Sequence, residues 1–279
     1  MKKIVVPCDF SEPSLEAVKF AIDLATQSGG SVAVVKVIDL PILAYGASID
    51  MPIYNFSPNL LKELEEDAKS SFEKLKQKLG KLSVTVTFSV ISGPTFTMIQ
   101  DFIDEGKFDL VVMGTHGATG LAEFFVGSNT EKVVRFSNVP VIAIRKATPL
   151  ATIKNIVFPT FLQYDQDDFV NALKSLQKYF KARLHILYLN TPSSFINESE
   201  LGKYAAHYGF EDYTLAIRHN RHEPDGIVSY AEEIKADMLA MATHGRKGLA
   251  HFIRGSITED VVNHIPLPIW TYRIKNNDY

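Results

Sequence analysis

The chain has 279 residues, 46 % hydrophobic and 22 % charged, with a net charge of −3 from 29 basic and 32 acidic residues. That length accommodates about two domains, and the composition excludes disordered and collagen-like classes. The charge balance lacks the basic excess of nucleic-acid binders, and no apolar run reaches the ~18 residues of a membrane span.

In chain order, Lys3–Pro7 reads as a short buried strand, and Ser11-Glu12-Pro13 opens a helix that Gly29-Gly30 ends. Val32–Ile38 is the next strand, and Leu60–Leu79 is a long charged amphipathic helix. A strand at Val84–Ile91, a helix from Pro94 to Glu105 and a strand at Leu110–Met113 follow. Gly127-Ser128 leads a helix to Phe136, and Val139–Ile144 is a last strand. Strand and helix alternate throughout, which predicts an open five-stranded parallel α/β sheet.

The pattern then repeats. Asp109–Lys146 and Asp237–Ile274 match without a gap at 17 of 38 positions, and Lys2–Phe10 resembles Lys154–Leu162. The offset is 152 residues at the starts and 128 at the ends, so the first copy carries 24 additional residues. The stretch from Pro41 to Pro58 accounts for most of them and, with Tyr45, Tyr54 and Phe56, is a candidate lid or contact surface, a simple ordered cover being the plainer account. Two domains are expected, residues 1–147 and 151–279. Strands of the second are expected at Ile153–Pro159, His185–Leu189, Thr214–Ile217, Met238–Met241 and Leu267–Tyr272. The two last strands are apolar enough to need covering.

Ligands of open α/β sheets sit outside the carboxyl ends of the strands. There the chain reads Gly114-Thr115-His116-Gly117, nine residues, then Gly127-Ser128 at a helix start. Glycines let backbone N–H groups approach an anion, and the helix start offers unpaired donors. A second reading competes: Ser128 with Glu131, and Ser256 with Glu259, each have the spacing of a capping box. The segment is neither a P-loop nor a GxGxxG fingerprint.

G-x2-G-x9-G-S after a fourth strand, preceded by Ile4-Val5-Val6-Pro7-Cys8-Asp9-Phe10-Ser11, closely resembles the universal stress protein family in a tandem two-domain form. The resemblance implies two open five-stranded parallel-sheet domains of the Rossmann-like, adenine nucleotide alpha hydrolase-like kind, related by a pseudo-twofold axis. It also implies that the last strands pair across that axis as an internal dimer, leaving room for a homodimer beyond it. The implied cofactor is ATP, its Mg²⁺ held mainly by phosphates and water. The implied contacts are Pro7, Asp9, Val37, Met113, Gly114, Gly117, Gly127, Ser128, Asn129 and Thr130. Asp9 can accept from a ribose hydroxyl or the adenine amino group, and its competing role is a helix-capping carboxylate beside Ser11. The second copy has Phe161, Tyr188 and Ala242 at the places assigned to Asp9, Val37 and Gly114. It keeps Gly245, Gly255, Ser256 and Thr258 as an anion loop, made more basic by Arg246, Lys247 and Arg254. Nucleotide is therefore expected in the first domain, with the second degenerate, its two aromatic side chains filling the adenine pocket, or holding a different anion.

No nucleophile elbow or paired carboxylates accompany His116 and His244, so no catalytic residue is assigned and ATP hydrolysis is expected to be slow at most. Ser28-Gly29-Gly30-Ser31 reads as a helix stop. Cys8, the single cysteine, excludes an internal disulfide framework and a Cys-based zinc site and reads as a small buried residue. The first residues leave no space for a secretory leader, and a cytoplasmic protein is expected. The alternative function is a non-nucleotide stress module whose His-rich second domain binds zinc or another small ligand. His219 and His222 beside Glu223, with His207, His244 and His251, are its candidates; dispersed surface histidines are the plainer account.

Overall fold

The computed structural model describes residues 1–39, 59–115, 127–244, 261 and 265–274. Its first half contains strands β1 (Lys3–Pro7), β2 (Ser31–Ile38), β3 (Thr85–Ser92), β4 (Leu110–Gly114) and β5 (Val141–Ile144). Helices α1 (Glu12–Ser28), α2 (Leu60–Leu79), α3 (Thr95–Gly106) and α4 (Ser128–Phe136) alternate with them. The second half contains β6 (Asn155–Pro159), α5 (Asp167–Phe180), β7 (Arg183–Asn190), α6 (Glu198–Tyr208), β8 (Tyr213–His219), α7 (Glu223–Glu233), β9 (Met238–His244) and β10 (Ile269–Ile274). None of the described helices is long and apolar enough to cross a membrane.

The strands form one ten-stranded sheet in the order β3-β2-β1-β4-β5-β10-β9-β6-β7-β8. Neighbours within each half run parallel. The halves meet where β5 and β10 pair antiparallel, Ile269 opposite Ala143 and Thr271 opposite Val141. The pairing expected of the last strands thus exists within one chain. Both faces of the sheet are covered, which is why β1, β4 and β5 are almost uninterrupted apolar runs.

Local chemistry sets the ends. Gly29 closes α1 in the left-handed region (φ 64°), and a Cβ on Gly30 would meet the Lys2 carbonyl oxygen at 2.5 Å. β5 begins at Val141 rather than Val139, because Pro140 has no N–H to give the ladder, although its carbonyl still accepts from Val111. The duplication is visible in single hydrogen bonds. Asp109 accepts from the backbone N–H groups of Lys2 and Lys3, and Asp237 does the same for Lys154 and Asn155. On one face, a single hydrophobic core crosses both halves, from Leu24 and Val112 to Phe169, Tyr204 and Trp270. On the other, each half keeps its own core.

Candidate functional site

The carboxyl ends of β1, β2 and β4 and the start of α4 enclose a cavity of about 360 Å³. Pro7, Asp9, Val37, Met113, Gly114, Gly127, Ser128, Asn129 and Thr130 all line it. Gly117, the remaining residue of the expected set, lies outside the described residues.

Each wall has a structural cause. Cys8 N–H continues the β1–β2 ladder to Val35, carrying Asp9 just past the sheet. Gly114 has no space for a side chain: a Cβ would meet the Pro13 carbonyl carbon at 2.6 Å and the Ser14 nitrogen at 2.7 Å. The start of α1 can therefore rest on the end of β4. Gly127 N–H donates to the Thr115 carbonyl (2.7 Å), and the Thr130 hydroxyl donates to the Gly114 carbonyl (2.8 Å), so α4 is pinned to the end of β4.

The capping box expected at Ser128 and Glu131 is not formed. Gly127, not Ser128, is the N-cap, and no side chain caps the helix. Ser128, Asn129 and Thr130 occupy the first turn, whose N–H groups lack intrahelical acceptors and whose dipole favours an anion. The capping role considered for Asp9 takes another form: its carboxylate accepts from the backbone and hydroxyl of Ser11, the N-cap of α1, and organises the turn ahead of the helix. Phe10 in that turn has φ 66°, and its counterpart Leu162 has φ 55°. Because both copies share this conformation although only one has the Asp, it belongs to the fold and not to the ligand.

Cys8, Ser14, Lys36, Thr95 and Ile99 also line the cavity and escaped sequence reasoning. Burial chiefly pushes the Cys8 thiol above its ordinary range, and its sulfur lies 3.4 Å from the Ser14 hydroxyl. Cys8 is thus a protonated wall group, not a nucleophile. Lys36 brings a positive charge. Thr95 donates to Asp39 at 2.8 Å, and Gly93 (φ 141°) provides the turn that delivers it from β3. Thr95 was detectable in principle, since the β3–α3 connection also lies at the carboxyl edge of a parallel sheet.

The second copy differs from expectation in register. Pro159 pairs with Leu187 as Pro7 pairs with Val35, so Leu189, and not Tyr188, occupies the place of Val37. Tyr188 points to the opposite face, buried in the shared core with its hydroxyl on Ser194. It cannot fill an adenine pocket. Leu189 packs against α7, where a Cβ on Gly226 would come within 2.9 Å of it. Phe161, in the place of Asp9, is 40 % exposed. Ala242 tolerates a side chain where Gly114 does not. The helix after β6 begins at Asp167, later than the 152-residue offset places it. Gly245, Gly255, Ser256 and Thr258, with Arg246, Lys247 and Arg254, lie outside the described residues, as does the Pro41–Pro58 segment.

Among the described residues, no three His, Cys, Asp or Glu side chains converge as a metal site. His207 packs on Tyr164 and Tyr208, His219 on Phe195, and His222 lies 3.3 Å from Asp225. His185 bridges Asn155 and Thr214.

The universal stress protein family profile matches residues 1–145 and again 152–273. A universal stress protein of Methanocaldococcus jannaschii is 31 % identical over 145 residues, 52 % of this chain and 82 % of its own. One from Synechocystis is 24 % identical and spans 98 % of this chain and all of its own length. The crystal structure of a universal stress protein from Archaeoglobus fulgidus superposes with a TM-score of 0.75 at 20 % identity, over 99 % of this chain and 97 % of that one, and shares the fold. With the profile matched by both copies, the chain belongs to the universal stress protein family as a tandem member.

Proposed function

We propose that the first domain binds an adenine nucleotide, ATP with Mg²⁺ carried on its phosphates, and that the protein is a nucleotide-responsive module of the cytoplasm and not a metabolic enzyme. One observation carries this reading: nine of the ten residues singled out by family resemblance line a single cavity, one end of which is the uncapped start of α4. Val37, Met113 and Ile99 offer an apolar slot for a base, and the Asp9 carboxylate is an acceptor for a ribose hydroxyl or exocyclic amine. The N–H groups of Ser128, Asn129 and Thr130, with Lys36 nearby, suit phosphates. Gly114, with no space for a Cβ beneath Pro13 and Ser14, lets the start of α1 pack against this end of the cavity. Mg²⁺ supplies charge neutralisation to the bound phosphates.

The second domain keeps the frame without the nucleoside contacts, so a single nucleotide per chain is expected. Mass spectrometry of the small molecule that co-purifies, followed by calorimetric titration of the stripped full chain with ATP, tests this. A stoichiometry near one, weakened about tenfold or more by Asp9→Ala, is the expected result. No adenine compound on the purified protein and no heat on titration would overturn it. Two equal sites would overturn the assignment to one domain.

A further inference from the structure

The helix that closes the candidate phosphate end of the cavity is held at its other end by the second domain. α4 is nine residues long, so its first turn at the cavity and its last turn at the domain junction belong to one short rigid element. Its last carbonyls have no intrahelical donors. Arg273 of β10 supplies one: its Nη1 donates to the Phe136 carbonyl at 3.0 Å and to the Asn138 side-chain oxygen at 3.2 Å. The antiparallel register explains the reach. Thr271 faces Val141, so two residues further on Arg273 stands beside the turn that leaves α4.

The bond network continues. Asn138 donates to Asp104 of α3 at 3.3 Å, and Asp104 also accepts from Gln100. α3 contributes Thr95 and Ile99 to the cavity, and Phe96 packs on Phe136 with ring centroids 5.9 Å apart. A single second-domain guanidinium therefore fastens the far end of α4 directly and, through Asn138, that of α3, two of the helices that line the cavity. Its charge lies at the negative end of the α4 dipole, where a cation stabilises the last turn.

We propose that Arg273 is a positioning residue acting across the domain junction, which sets the first turn of α4 and thereby gives the second domain control over phosphate binding in the first. This rests on the nucleotide reading above and extends it: the degenerate copy is a structural effector of the intact one. The sequence repeat places Arg145 at the corresponding point of the first copy; there the counterpart of Phe136 is His264, which lies outside the described residues, and that of Asn138 is Pro266, which has no side-chain acceptor.

The test compares ATP with adenosine on full-length protein, by calorimetry, for wild type, Arg273→Gln and Arg273→Lys. Adenosine lacks the groups that meet α4 but keeps those that meet Asp9 and Val37. Arg273→Gln is expected to weaken ATP about five- to tenfold while changing adenosine less than about twofold, and Arg273→Lys is expected to recover most of the loss, since it restores the charge. Asn138→Ala, which leaves the Phe136 contact in place, provides a milder probe if Arg273→Gln folds poorly, and a smaller ATP-selective loss is expected of it. Unchanged ATP affinity in every variant, or an equal loss for both ligands, would overturn the proposal, the latter by showing a merely structural role. Wild type that binds neither ligand would refute the nucleotide reading itself, and this proposal with it.

Discussion

At the scale of single residues, the two copies differ most where backbone meets backbone. Gly114 and Ala242 occupy equivalent places, yet only the first has the start of a helix resting on it. Gly114→Ala forces a Cβ into the Pro13 carbonyl and is expected to lower stability by about 1–3 kcal/mol, the cost of overpacking a site that cannot yield. Ala242→Gly is expected to cost no more than about 1 kcal/mol, the entropic penalty of glycine in a strand. Urea midpoints of the two variants measure the contrast, and equal losses would show that α1 moves freely off β4. Thr130 has a comparable restraint. Its hydroxyl donates to Gly114 from a buried position, and Thr130→Val removes that bond while keeping the shape. A loss of about 1 kcal/mol is expected in the same assay.

Among the elements, β7 illustrates both what sequence patterns reveal and what they leave open. Helix α2 was readable to its ends because an amphipathic pattern runs into Gly80, and β1 because a short apolar run ends at Pro7. The glycine loop was readable from its spacing, since the parallel fold brings such segments to one edge, whereas Pro7, Asp9, Val37 and Met113 were named through the family resemblance. Register in β7 was not. Ile186–Leu189 is apolar on both faces, so nothing in the run itself shows which residue faces the cavity, and a slip of one exchanges Tyr188 for Leu189. Nor could the repeat reveal Arg273 on α4, because that bond joins one copy to the other. β7 also contains a pH-sensitive contact. Burial chiefly, with the Arg183 charge, holds the His185 pKa below its usual value, in keeping with a neutral ring that donates to Asn155 and accepts from Thr214. A His pKa lowered by folding means the unfolded chain binds the proton more readily. The stability it contributes is therefore complete above the unfolded pKa of about 6.5 and declines as pH falls below it. Urea midpoints at pH 7.5 and 5.5 are expected to separate less in His185→Gln than in wild type, and an identical separation would show that the ring is not the titrating group.

For the whole molecule, the decisive feature is that the two copies are not beads on a string. β5 and β10 pair through the middle of one sheet, and on one face the hydrophobic core continues from α1 to α5 without a break. The Tyr179 hydroxyl of α5 donates to the Leu24 carbonyl of α1 at 2.9 Å, and burial raises its pKa to about 12, so it stays protonated as a donor throughout the neutral range. Exposing the junction of either copy would uncover the apolar face of the other, at roughly 25 cal/mol per Å², which ties the stability of each copy to that of its neighbour. The single tryptophan reports on this place. Trp270 is 1 % exposed in β10, 5.8 Å from the Phe169 ring. Its fluorescence follows the junction, whereas far-ultraviolet circular dichroism follows helices in both halves. If the copies unfold as one unit, the two signals trace a single coincident urea transition. A dichroism curve with two steps, only one of them matched by Trp270, would mean that the copies unfold separately and that the shared core is too weak to couple them.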